Sequence, residues 1–160
     1  MPKIFGPDIK LFSVPDKKAD GTQWTAFDSA ADVGIVQDAL NILRNTVAKI
    51  PTCDQYFVSL PRRRSFVDVL NDDNVWICYD PTGPDAGETV GRYITIGKKT
   101  LKAGRWQVAA TLVHELAHVG GAEDTNAQAE TALIHCGLKA HFVPSNTSTP
   151  ASSPGNRPRR

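Results

Sequence analysis

The stretch from Trp106 to Gly121 constrains this chain more than any other. Trp106, Ala109, Ala110, Val113, Leu116 and Ala117 recur at three- and four-residue intervals, which predicts an amphipathic helix with one apolar face. Gly120 and Gly121 then stop it, as glycines do just past a helix C-terminus. Inside the helix lies His114-Glu115-Leu116-Ala117-His118. Residues four apart share a helix face, so the two imidazoles flank the apolar stripe and can address one metal ion. Glu115 sits about 100° round the helix from His114. Its carboxylate therefore stands beside such an ion rather than on it, where it can take a proton from a metal-activated water.

With those residues in place, the segment resembles the active-site helix of the zincin zinc metallopeptidases. The longer pattern His-Glu-x-x-His-x-x-Gly-x-x-Asp also fits, with Gly121 and Asp124 in its last two places. In that form it is similar to the Asp-terminated metzincin-type motif of snapalysins. An Asp ligand is also a trait of the aspzincins, whose Asp lies in a separate downstream motif not found here. The likeness covers about 15 residues strongly and the preceding strand more loosely. The sole methionine is Met1, so the methionine turn of metzincins has no counterpart.

The resemblance implies an α+β, zincin-like domain: a short twisted sheet, a backing helix, the metal helix and a following helix. It implies one Zn2+ ion held by His114, His118 and a carboxylate, with Glu115 as the catalytic general base. The third ligand stays open. Asp124 lies six residues after His118, where a chain folding back at Gly120-Gly121 brings it to the metal, unless Asp124 serves as a helix cap. Glu130, on the next helix, is the alternative in a gluzincin-like arrangement, and Glu123 is a weaker third candidate. In zincins the strand before the metal helix borders the cleft and pairs with substrate backbone. That makes Val90 to Gly97 the expected substrate-binding edge, with Tyr93, Ile94 and Thr95 at its centre. Tyr93 could steady a tetrahedral oxyanion, although packing is the plainer role for a tyrosine.

The chain is 160 residues long, which suits one domain with a sizeable core. A net charge of +1 gives no bulk attraction to nucleic acid or to a membrane surface. No apolar run reaches membrane-spanning length, and the start, Met-Pro-Lys-Ile-Phe-Gly-Pro, has no signal core. The compartment stays open: the protein is cytoplasmic, is a mature form, or leaves by a signal-independent route. Cys53, Cys78 and Cys136 leave at least one thiol unpaired. Buried inert thiols are one account of them. One disulfide, Cys53 with Cys78, is the other and would imply an oxidising destination.

Along the chain, residues 1–26 read as an irregular arm held on the body by Phe5, Phe12 and Trp24. Residues 27–143 form the catalytic domain. Asp28 or Ser29 caps a helix running to about Ile50, with Val33, Val36, Leu40, Leu43, Val47 and Ile50 as its stripe and Pro51 as its end. Tyr56 to Leu60 reads as a short strand. Arg62-Arg63-Arg64 is a solvated turn balancing Asp68, Asp72 and Asp73, or an anion patch. Ser65 caps one or two helical turns to Leu70. Val75 to Tyr79 is a strand, Asp80 to Glu88 a loop, Thr89 to Ile96 a strand, and Lys98 to Gly104 a linker. A helix from about Thr125 to Leu138 has capping-box spacing in Thr125 and Gln128, with His135 and His141 as surface or half-buried histidines rather than ligands. Residues 144–160 have the composition of a disordered tail.

The function expected is peptide hydrolysis, with a protein or peptide as substrate. A zinc-binding toxin, effector or interaction module without turnover is the alternative of a different class. A metal amidase acting on a non-peptide amide is a third reading that the helical motif does not separate from a peptidase.

Overall fold

A computed structural model describes residues 1–10, 13–83 and 85–143. Phe12 and the expected tail from 144 onwards lie outside the described residues. Ser29 starts the first long helix, its Oγ accepting from the Asp32 N–H at 3.2 Å. This helix, α1 (Ala30–Asn45), buries Val36, Ala39, Leu40 and Leu43. It is shorter than its stripe predicts, because the chain tightens into a 3-10 turn over Val47–Lys49. Pro51 begins the next helix rather than merely ending the last one. A proline in the first turn sacrifices no hydrogen bond, and α2 (Pro51–Ser59) follows it directly. The expected strand Tyr56 to Leu60 is therefore mostly helical. Cys53, Phe57 and Leu60 are fully buried at helical spacing, a period that a five-residue apolar run is too short to reveal. α3 (Phe66–Leu70) has the predicted cap, Ser65 Oγ accepting from the Asp68 N–H at 3.0 Å.

The architecture is α+β, with a small mixed sheet of four strands among the described residues. The strands are β1 (Lys3–Ile4), β2 (Trp76–Asp80), β3 (Gly87–Val90) and β4 (Tyr93–Gly97), in the spatial order β1-β2-β4-β3. β1 and β4 run parallel to β2, and β3 is antiparallel to β4. The single strand expected over Thr89 to Ile96 is thus a hairpin. Val90 pairs with Tyr93 across the two-residue turn Gly91-Arg92, and Gly91 has φ +61°, a conformation glycine adopts without a Cβ penalty. One consequence bears on function: β4 is an interior strand, and β3 is an edge strand.

Alternation divides the sheet's two faces. Ile77, Tyr79, Ile94 and Ile96 join the main core with the helices, whereas Trp76, Cys78 and Tyr93 face the other way under Phe5, Val14 and Trp24. The N-terminal residues therefore supply both a strand and a cover for the sheet's second face. After β4 the expected linker contains a helix, α4 (Lys98–Ala103), and then come α5 (Arg105–Val119) and α6 (Gln128–His135). Trp106 departs from its expected core position. It is 42% exposed on the first turn of α5 and stacks on His141. The capping box at Thr125 does not form: α6 starts three residues later, from Ala127 at φ 59° with no side-chain cap. Arg64 pairs with Asp72 at 3.0 Å, as the charge-balancing reading expects, while Asp73 pairs with the N-terminal ammonium. No helix among the described residues is long and apolar enough to cross a membrane.

The cysteine pairing differs from the expectation. Cys53 of α2 is bonded to Cys136, just past α6, and Cys78 is the free thiol, buried in the sheet with its pKa pushed up to about 12 chiefly by burial. Cys53 and Cys78 are separated by the helix-to-sheet packing, and only the tertiary fold brings Cys136 to Cys53. Closing a loop with a sequence separation of 83 removes about 4.5 kcal/mol of unfolded-chain entropy in the chain-entropy account. Replacing both Cys53 and Cys136 by serine is expected to cost about 2–5 kcal/mol in denaturant unfolding. Cys78→Ser should leave the disulfide intact by thiol counting.

Candidate active site

Helix α5 carries the site because its termination is built into its sequence. The Gly121 N–H donates to the His118 carbonyl at 3.0 Å and the Ala122 N–H to the Ala117 carbonyl at 2.9 Å, the two bonds of a Schellman cap. Gly121 holds φ +105°, and a Cβ there would press on the Arg62 backbone nitrogen and on Pro61 Cβ, each at 3.1 Å. The cap has a second effect. It turns the Ala122 carbonyl back to 2.8 Å from His118 Nδ1. A ring nitrogen that donates to a backbone carbonyl fixes the tautomer and leaves Nε2 as the acceptor, the arrangement typical of metal-binding histidines.

His114 is held on several sides. Its Nδ1 lies 3.1 Å from Glu115 Oε2, its Nε2 meets Glu130 Oε2 in close contact, and the Phe142 ring stacks on it at 4.8 Å with planes 10° apart. Burial alone would push the His114 imidazolium down. Hydrogen bonds and charge from Glu115 and Glu130 outweigh it and raise the pKa to about 9. The same bond to His114 holds the Glu130 carboxyl below its usual range.

Glu130 reaches His114 because α2 grips α6. Thr52 Oγ1 donates to the His135 carbonyl at 2.7 Å, Tyr56 Oη donates to the Gln128 carbonyl at 3.2 Å, and the Tyr56 ring stacks on His135. With the Cys53–Cys136 disulfide, these contacts fix α6 at both ends. His135 and His141 thus serve as packing partners of Tyr56 and Trp106.

The cavity above α5 has a volume of about 270 Å³. His114, Glu115, His118 and Asp124 line one side, and Asp85, Gly87, Glu88 and Thr89 line the other. Glu115 is only 3% exposed. Thr89 Oγ1 donates to Glu115 Oε1 at 2.8 Å. Glu88 has its pKa raised, by partial burial first and then by the charges of Asp85, Asp80, Glu115 and Asp124. One atom each from His114, Glu115 and His118 fall within 4.8 Å of one another, a grouping that could hold a metal ion. Two imidazoles, one already in a metal-binding tautomer, with a neighbouring carboxylate make a donor set that suits zinc.

Of the other expected site residues only Asp124 lines the cavity. Asp124 stands at the rim with its side chain 93% exposed, 3.5 Å from His118 Nδ1. Glu123 is exposed. Tyr93, Ile94 and Thr95 do not line the cavity. Tyr93 lies on the far face of the sheet, stacked on Trp24 with its Oη donating to Asp16 Oδ2 at 3.0 Å, and Ile94 is in the main core. The residues that sequence reasoning missed are Asp85, Gly87, Glu88 and Thr89. Their signal was Gly91: a glycine between two alternating runs marks a hairpin, which exchanges the edge strand for its predecessor.

Comparison with known proteins gave no match to this chain among family models, curated proteins or solved structures.

The His114 pKa yields a direct check on the metal-free protein. A folded-state pKa near 9 against about 6.5 unfolded means that this interaction contributes its full stability below pH about 6.5 and loses it as pH rises through about 9. In Glu130→Gln, the His114 pKa read from imidazole proton shifts is expected to fall toward the ordinary value. An unchanged titration would show that Glu130 does not act on His114.

Proposed function

We propose that this chain is a zinc-dependent metallopeptidase with a zincin-like fold. The observation that carries the reading is that His114, Glu115 and His118 line one cavity whose opposite wall is the open-edged strand β3. Two imidazoles and a carboxylate would hold the ion. Glu130 is the better third ligand, since its carboxylate already contacts His114 Nε2 and its helix is fixed by α2, whereas Asp124 sits out in solvent. The bound ion would act as a Lewis acid that acidifies a water and polarises the scissile carbonyl.

The chain's own residues do the rest. Glu115 accepts the proton of the attacking water and returns it to the leaving amine. Burial keeps competing water from its carboxylate. An extended peptide adds to β3, where main-chain hydrogen bonds give affinity and the side chains at the cavity wall give preference. Carboxylates at Asp85, Glu88 and Asp124 disfavour a phosphodiester substrate by like charge. The disulfide suits an oxidising destination.

Glu115→Gln keeps the shape and cannot accept the proton. Peptide cleavage is expected to drop by at least about 100-fold with zinc retained. Wild-type turnover in this variant would refute the assignment. The ligand choice is tested by zinc affinity. Glu130→Ala should weaken binding by orders of magnitude, and Asp124→Ala should leave it within about tenfold. The reverse order would return Asp124 to the ion. A purified wild-type protein that cleaves nothing in a peptide library, although it binds one zinc, would favour a binding module instead.

A further inference from the structure

Strand β3 approaches α5 more closely than a side chain would permit. A Cβ on Gly87 would stand 2.7 Å from Thr111 Cγ2, 2.9 Å from the Thr95 carbonyl oxygen and 3.3 Å from Glu115 Cγ. Two residues on, and so on the same face of the strand, Thr89 uses that proximity. Its Oγ1 lies 2.8 Å from Glu115 Oε1 and 3.1 Å from the Glu115 carbonyl oxygen. A threonine hydroxyl has one proton to give. The carboxylate oxygen is nearer and carries the charge, so it takes that proton and leaves the carbonyl with a secondary contact. Glu115 Oε2 lies toward His114 Nδ1 at 3.1 Å. Because Glu115 is 3% exposed, water does not replace a lost partner at Oε1 without a desolvation cost.

We propose that Thr89 is the positioning residue of Glu115: it pins Oε1, so that Oε2 is the oxygen that receives the proton from water and passes it to the leaving amine. Thr89 keeps its own proton throughout. The proposal rests on the reading of Glu115 as general base and adds a device to it. The strand that would bind the peptide backbone also aims the base, so peptide register and carboxylate orientation are set by one element. Gly87 belongs to the same device, since any larger residue would push β3 away and lengthen the Thr89–Glu115 bond.

Thr89→Val preserves the branched shape and deletes the hydroxyl, while Thr89→Ser preserves the hydroxyl. In the zinc-loaded full chain, with a fluorogenic peptide as substrate, the valine variant is expected to lose about 10- to 100-fold in kcat. Its KM should stay within about 2-fold, with one zinc bound, and the serine variant should recover to within about 5-fold of wild type. In a Glu115→Gln background the valine substitution should cost nothing further, because the pair acts as a unit. If the valine variant does not fold, by its melting curve, Thr89→Ala is read in its place. A hydroxyl-free variant with wild-type kcat, or a serine variant as slow as valine, would overturn the proposal while leaving Glu115 as base. Full turnover by Glu115→Gln would sink the general-base reading and the proposal with it. A readout without turnover comes from crystal structures of the metal-free variants. Glu115 Oε1 should stay within hydrogen-bonding distance of residue 89 in wild type and serine and shift in valine, and an unmoved Oε1 in valine would overturn the assignment.

Discussion

A carboxylate almost wholly withdrawn from water organises this molecule. Glu115 sits between α5 and β3, and an ionised group in that position is stable only if its oxygens are met. Thr89 meets one and His114 faces the other. Both partners depend on backbone placement more than on side-chain choice. Thr89 is near enough because Gly87 lets the strand settle on the helix, and His114 is the residue next to Glu115 on α5. The sheet is there to deliver β3. β2 and β4 are buried on both faces and serve as its foundation, with the N-terminal residues sealing the side away from the helices.

The support of His114 comes from a different part of the chain. α6 has eight residues and no side-chain cap, too little to hold a position by its own helix energetics. Its place comes from packing on α5 and from α2, through the disulfide, two hydrogen bonds and a stacked ring pair. Glu130 inherits that rigidity and transmits it to His114, which Phe142 covers from the far side. Pro51–Ser59, a helix where a short strand was expected over Tyr56 to Leu60, thereby supports a residue of the candidate metal site.

What could be read in the sequence was what is local. Helix α5, its Gly-Gly stop and the Ser29 and Ser65 caps rest on interactions within about five residues, and each appears where its pattern puts it. The misreadings are non-local or short. Cys53 joins Cys136 across most of the domain, and no spacing rule reports such a pairing. Tyr56–Leu60 is a five-residue, mostly apolar stretch that fits a strand or a helix equally until Cys53 is added to its period. The hairpin at Gly91 makes β3 an edge strand and β4 an interior one, so Tyr93, Ile94 and Thr95 lie on β4, with Tyr93 on the far face of the sheet and Ile94 in the main core. The third carboxylate stayed open because Asp124 is near in sequence and Glu130 near in space, and only the packing of α6 on α2 separates the two.

The charge around the cavity gives a final reason to favour a cation there. Asp85, Glu88, Glu115 and Asp124 line it, and among the described residues no lysine or arginine does. Glu88 registers the crowding as a raised pKa, through burial and then the neighbouring acids. In the metal-free protein the His114 imidazolium supplies a positive charge beside it, sustained by Glu115 and Glu130. A divalent ion held by His114 and His118 would take over that role: it would displace the proton from His114, release the nitrogen for coordination, and oppose more of the surrounding negative charge than one imidazolium can. The protonated histidine and a bound cation would then be alternative solutions to one electrostatic demand. The residues that create this demand are also those that would bind, activate and flank the substrate.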